Sequence, residues 1–189
     1  MSNVLFINAC PRPDSRTLKL AKSLISKMDG DVRERDLFKE CPDSLTWETL
    51  QMRDKYIAAK DFSQPVFAYA REFAQADAIV IAAPYWDLSF PAMLKSYLEN
   101  VSVAGLTFRY SESGIPMGLC KAQKLYYVTT AGGYVGENDF GFSYVKALAG
   151  GLFGIKNIKC ICAEGMDISD DLARESFEKA EKEIAEEMN

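Results

Sequence analysis

The chain contains no histidine. Imidazole acid–base chemistry, a Ser-His-Asp triad and His-ligated zinc or haem are therefore excluded. Chemistry is left to Cys, Tyr, Lys, carboxylates, backbone amides and a bound cofactor. Three short stretches concentrate those groups. The first is Ala9-Cys10-Pro11-Arg12-Pro13-Asp14-Ser15-Arg16-Thr17, which brings hydroxyls and guanidiniums to the start of a helix. The free N–H groups of a helix N-terminus attract anions, and Ser15, Thr17, Arg16 or Arg12 add further donors, so a phosphate fits here. Plain N-capping by Ser15 or Asp14 is the simpler use of the same residues, and it is compatible with phosphate binding. The second stretch is Ala83-Pro84-Tyr85-Trp86-Asp87-Leu88-Ser89-Phe90-Pro91. Its adjacent aromatics can pack on a planar ring, or divide between core and surface cover. The third is Thr129-Thr130-Ala131-Gly132-Gly133-Tyr134. Its paired glycines allow a ligand close to the backbone and offer N–H groups to a carbonyl. An ordinary turn is the alternative.

Each stretch follows an apolar run of strand length. Residues 4–8, 78–83 and 124–130 read as strands, and 157–163 as a last one. Residues 31–37 are less apolar and belong nearer a sheet edge. Helical spacing is predicted over 17–28, where Leu18, Ala21, Ile25 and Met28 share a face. Further helices are predicted over 65–75, over 92–100 entered through Pro91, and over 140–148. Residues 45–60 form a weaker helix within an insertion. Ser169 caps a final helix with Asp170 and Asp171 in its first turn. Strands alternating with helices, and apolar on both faces, define an α/β protein. Five of them predict a flavodoxin-like, doubly wound parallel sheet of order 2-1-3-4-5 with helices on both faces. In such a sheet ligands bind beyond the carboxyl ends of the strands, where all three stretches fall. Residues 104–117 stand outside the alternation as a short excursion. No repeat or linker is evident, so residues 1–189 read as one domain.

Composition supports an ordinary globular protein. Of 189 residues, 48% are hydrophobic and 26% charged, enough to bury a core without a disulfide or metal. The net charge of −5 argues against nucleic acid as a partner. The N-terminus lacks the basic region of a signal peptide, and no apolar run is long enough to span a bilayer, so a cytoplasmic protein is expected. The five cysteines, Cys10, Cys41, Cys120, Cys160 and Cys162, read as free thiols. Cys160 and Cys162 share one face of a strand and serve as small buried hydrophobes.

A phosphate site, an aromatic flank and a backbone-donor loop around one sheet edge together suggest FMN. No GxGxxG follows the first strand, which counts against a dinucleotide fold. A competing motif exists. Cys10-x5-Arg16-Thr17 matches the CX5R-[ST] signature of low-molecular-weight protein tyrosine phosphatases. Pro11 and Pro13 remove two N–H donors from what would be a cradle of donors, and the Asp-Pro dipeptide of that family is absent. The phosphatase using Cys10 and Arg16 is the weaker alternative.

Residues 82–134 resemble the FMN-dependent NADH:quinone oxidoreductases and azoreductases of flavodoxin-like fold. The matching pattern is a Pro-aromatic loop at Pro84, P-A-x-L-K-x-Y-x-[DE] from Pro91, G-x-T-F-x-Y from Gly105, and T-T-x-G-G from Thr129. The first loop fits as P-R-x-x-S-x-T, and Ala163-Glu164-Gly165-Met166 continues the similarity. The resemblance implies that Ser15, Arg16 and Thr17 hold the FMN phosphate. It implies that Pro84, Tyr85, Trp86, Asp87 and Leu88 contact the ring and ribityl chain, and that Thr130, Ala131, Gly132 and Gly133 meet the pyrimidine end. The flavin carries the hydride, so no protein residue is implied as an acid or nucleophile, and no metal. NADH or NADPH is the implied donor, with a quinone, azo or nitro-aromatic compound as acceptor in a ping-pong cycle. Members are usually homodimers with the substrate site at the interface. Phe140 and Phe142 are candidates there, although helix-core packing is the plainer role for both. Asp87 departs from the Asn common in the family, and a carboxylate facing the ring would disfavour its reduced anion. A flavodoxin-type electron carrier is the alternative of a different class.

Overall fold

Five parallel strands pair in the order expected for a doubly wound sheet. The computed structural model describes residues 2–40 and 42–188, so Cys41 lies outside the described residues. The chain runs through β1 (Asn3–Asn8), α1 (Arg16–Ile25), β2 (Asp31–Asp36), α2 (Leu37–Glu40), α3 (Trp47–Ala58), a 3-10 turn (Pro65–Phe67) and α4 (Ala68–Gln75). It continues through β3 (Ala78–Ala82), α5 (Ala92–Val101), β4 (Phe108–Tyr110), β5 (Pro116–Gly118), β6 (Lys124–Thr130), α6 (Phe142–Leu148), a π turn (Ala149–Phe153), β7 (Asn157–Ala163) and α7 (Asp170–Met188). The sheet order is β2-β1-β3-β6-β7. That is 2-1-3-4-5 once the short antiparallel pair β4-β5 is set aside.

Alternation along the strands divides the core into two layers. Leu5, Ile7, Ile79, Ile81, Leu125 and Tyr127 face Phe67, Phe73, Tyr97 and Phe153 on one side. Phe6, Val80, Tyr126, Val128 and Ile161 face Leu20, Leu24 and Ile184 from α1 and α7 on the other. β2 is mostly exposed, as its polar sequence and edge position require.

Several boundaries differ from the sequence expectation for local reasons. The first helix ends at Ile25, and Met28 N instead donates to Ile25 O at 3.0 Å in a tighter turn. Residues 65–67 wind as a 3-10 turn before α4 begins. The helix expected from residue 140 begins at Phe142, after Gly141 at its N-cap, and Phe142 N donates to Asp139 Oδ1 at 2.8 Å. The excursion over 104–117 contains β4, and residues 116–118 form β5; the buried Thr107 hydroxyl ties its start to the end of α5. That hydroxyl donates to Val101 O at 2.8 Å and accepts from Val103 N at 3.0 Å.

All five strands of the sheet are parallel, so the loops after β1, β3, β6 and β7 emerge at one edge.

Candidate functional site

The loop after β1 is shaped by Asn8. Its Oδ1 accepts from Cys10 N at 3.0 Å, and its Nδ2 donates to Glu34 Oε1 at 2.8 Å. Ser15, rather than Asp14, is the N-cap of α1: its Oγ accepts from Leu18 N at 3.3 Å. The N–H groups of the first helical positions have no intrahelical acceptor and are directed to this end of the sheet. The buried Thr17 places its hydroxyl 2.6 Å from that of Thr130, joining the first loop to the third. The Arg16 guanidinium donates to Met166 O and pairs with Asp167.

The loop after β3 is held by Tyr85 N donating to Thr130 O at 3.1 Å and Tyr85 Oη donating to Asn138 O at 2.9 Å. Burial and the carboxylates of Asp139 and Glu164 hold the Tyr85 phenol above its usual pKa. Trp86 and Ser89 exchange N–H···O bonds of 3.1 and 2.8 Å around Asp87 and Leu88. Both central residues are left-handed, with φ of 49° and 66°. Such a turn favours Asn-Gly, and a leucine there is strained. Leu88 is 48% exposed, so its removal forfeits little packing. The Leu88→Gly variant is expected to gain about 0.5–1 kcal/mol after the extra unfolded-state freedom of Gly is subtracted. Thermal unfolding checks this; a lowered midpoint would mean that the Leu88 side chain is required here.

The loops after β6 and β7 are zipped together. Ala131 N donates to Ala163 O at 3.0 Å, and Met166 N to Ala131 O at 3.0 Å. Asp167 N donates to Gly132 O and Gly165 N to Gly133 O, both at 2.9 Å. Neither Gly132 nor Gly133 is the donor in any of these bonds. A Cβ at Gly132 would run into the Asp167 carboxylate.

These loops enclose a groove of about 480 Å³, within the range that cofactor-sized ligands need. Ser15, Arg16, Thr17, Pro84, Tyr85, Trp86, Thr130 and Gly132 line it together. The remaining sequence-predicted residues do not. Asp87 and Leu88 sit exposed at the corner of their turn. Ala131 is buried, with its N–H used by Ala163 at the end of β7 and its carbonyl by Met166 in the loop that follows. Gly133 is exposed beyond the groove. Asp167 was missed, although it follows the fourth strand end of the same sheet edge and the rule that selected the other loops selects it too. Arg12 and Asp14 also line the groove, so its charged rim holds two arginines and two aspartates.

Cys10 lies outside this lining. It is 5% exposed, and its thiol donates to Ala82 O at 3.7 Å. Burial pushes the thiol up to about 11, and the charges of Asp36 and Glu34 add to that against a hydrogen bond with Ser15. A cysteine that attacks phosphorus needs the opposite shift and access to the ligand. The phosphatase alternative fails on both counts. One packing expectation also fails. Phe140 precedes α6, is 58% exposed and donates its N–H to Leu88 O at 3.2 Å, whereas Phe142 packs as expected, 5.9 Å from the Tyr127 ring.

A doubly wound sheet with a phosphate-sized helix end and an aromatic wall at its switch point defines a flavodoxin-like protein. The family model described as Flavodoxin-like fold matches residues 2–188, and the chain belongs to that family. The chain is 37% identical over 203 residues to the FMN-dependent NADH:quinone oxidoreductase 2 of Clostridium acetobutylicum, covering 98% of this chain and 100% of that protein. It is 34% identical over 195 residues to the FMN-dependent NADH:quinone oxidoreductase of Clostridium beijerinckii, covering 96% and 98%. The solved azoreductase from Bacillus anthracis str. Sterne superposes with a TM-score of 0.88 at 27% identity, covering 100% of this chain and 99% of that one.

Proposed function

We propose that the chain is an FMN-dependent oxidoreductase that passes two electrons from NADH or NADPH to a quinone, azo or nitro-aromatic acceptor. In this reading residues 1–189 form one domain, and the protein works as a cytoplasmic homodimer. One observation carries the proposal. The α1 N-terminus, the Tyr85–Trp86 wall and Gly132 converge on one groove at the sheet's switch point, in a chain related over nearly its whole length to FMN-dependent NADH:quinone oxidoreductases.

The residues fit the cofactor. Ser15, Arg16 and the first N–H groups of α1 provide donors for a phosphate dianion, and Thr17 braces them through Thr130. Pro84, Tyr85 and Trp86 provide a flat apolar flank for a ring, and Tyr85 is held in place by its bond to Asn138 O. Gly132 lets the backbone after β6 line the groove directly, with the Asp167 carboxylate beside it. Bound FMN would supply the hydride acceptor and donor, so the protein's part is to bind, orient and exclude water. The absence of histidine and the inert, buried Cys10 agree with that division of labour. Asp87 stands exposed at its turn, outside the groove lining. The dimer is supported by the exposed apolar side chains of Trp86, Leu88 and Phe140 beside the groove mouth, since such patches mark interaction surfaces.

The deciding experiment is an anaerobic spectrum of the FMN-supplemented protein before and after NADH, followed by a quinone. Bound flavin that bleaches with NADH and regains its colour with quinone is the expected result. Flavin that NADH leaves coloured would indicate an electron carrier, and no bound flavin would refute the proposal. The Cys10→Ser variant is expected to retain NADH–quinone turnover, with no hydrolysis of p-nitrophenyl phosphate by either protein. Loss of all turnover without loss of folding would return the thiol to the mechanism.

A further inference from the structure

Tyr85 also lines a second cavity, of about 210 Å³, which shares no other lining residue with the groove. Its floor is a square of side chains on one sheet face. Parallel pairing sets Tyr127 beside Cys160 and Thr129 beside Cys162, and strand alternation turns all four the same way. Val135, Gly136, Asp139 and Phe142 close over them, and Glu164 stands at the strand end.

Two features call for an occupant. Thr129 is 5% exposed, and its Oγ1 has no hydrogen-bond partner, which a folded protein rarely tolerates without a ligand or water. The cavity also carries two carboxylates and no lysine or arginine in its lining. One of them, Asp139, accepts from Phe142 N at Oδ1. The thiols add no charge, because burial pushes both upward, Cys162 to about 12. Among the described residues no group of His, Cys, Asp and Glu is arranged to hold a metal ion. An organic cation matches that charge, and a space of about 210 Å³ admits one small ring.

We propose that this cavity binds a small aryl cation bearing N–H donors, such as an aryl amidinium. Asp139 and Glu164 attract the charge, Thr129 Oγ1 accepts an N–H, and the ring lies among Tyr85, Tyr127 and Phe142, where aromatic faces favour a cation. The assignment does not depend on the flavin reading, because the two sites have only Tyr85 in common.

The test uses the FMN-supplemented protein, benzamidinium as the probe and benzamide as its neutral match. Binding is followed by saturation-transfer NMR and calorimetry. Benzamidinium is expected to bind at millimolar concentration or below, and benzamide more weakly. Thr129→Val and Glu164→Gln are each expected to weaken the probe about tenfold, the loss of one hydrogen bond to a charged group. Cys162→Leu fills the cavity and should abolish binding. FMN affinity should stay unchanged in all three variants. Thr129→Val should melt no lower than the parent, because it removes an unpaired hydroxyl; that outcome separates a hydroxyl kept for a ligand from one kept for stability. The proposal is overturned if benzamidinium does not bind at millimolar concentration, if benzamide binds equally well, or if Glu164→Gln and Cys162→Leu leave the probe's affinity unchanged.

Discussion

Gly132→Val is expected to reduce FMN affinity by about a hundredfold or more, the cost of roughly 3 kcal/mol of overpacking. Gly132 lines the groove, and its Cβ would enter the space of the Asp167 carboxylate. The backbone cannot retreat, because Met166, Asp167 and Gly165 each donate an N–H to residues 131–133. Asp167 must therefore swing away, and the valine side chain intrudes on the groove that Gly132 lines. The fold should survive, since Gly132 is not in the left-handed region. A Gly133→Ala control separates steric blockage from a general loop effect, because a Cβ there meets nothing within 4 Å. Flavin fluorescence titration reads both variants. Full flavin retention by Gly132→Val would remove the loop after β6 from the site.

Arg16→Ala and Asp167→Ala are expected to shift FMN affinity in opposite directions. The two side chains form an ion pair at the groove rim, 43% and 69% exposed. Such a pair is worth at most about 1 kcal/mol. A bond from the guanidinium to a phosphate dianion is worth roughly 1.5–3 kcal/mol, so in the proposed site the phosphate would outcompete Asp167 for Arg16. Arg16→Ala should weaken FMN by about ten- to a hundredfold and flatten the salt dependence. Asp167→Ala should tighten it, because a negative charge beside the anion is removed and Arg16 is released. The double variant should lie between them. Unchanged affinity in both single variants would place the phosphate elsewhere.

Much of this was written into short-range sequence. Apolar runs of strand length alternating with helical spacing specify the doubly wound sheet, because burial on both faces demands them. That topology alone brings the loops after residues 8, 83 and 130 to one edge. Ser15 as a helix cap, the Tyr85–Trp86 pair and the glycine pair are local signals with local causes. The motifs over residues 82–134 carry the resemblance to FMN-dependent oxidoreductases in the sequence itself.

Other parts depend on packing between segments far apart in the chain. Thr17 offers a hydroxyl in sequence, but only the fold sets it 2.6 Å from Thr130. Cys10-x5-Arg16 is a plausible phosphatase loop on paper. In the structure Cys10 turns into the core and Arg16 turns to a loop 150 residues away. Asp87 tolerates a left-handed turn, but Leu88 after it gives no sign of one, since the position favours Gly. The second cavity exists because two strands pair in one register, placing Thr129 beside Cys162. Periodicity and capping act over a few residues, so the sequence by itself determined which elements form and which loops share an edge. Side-chain direction and the partner of each polar atom are settled only when distant segments compete for the same space, and that competition is resolved by the tertiary structure.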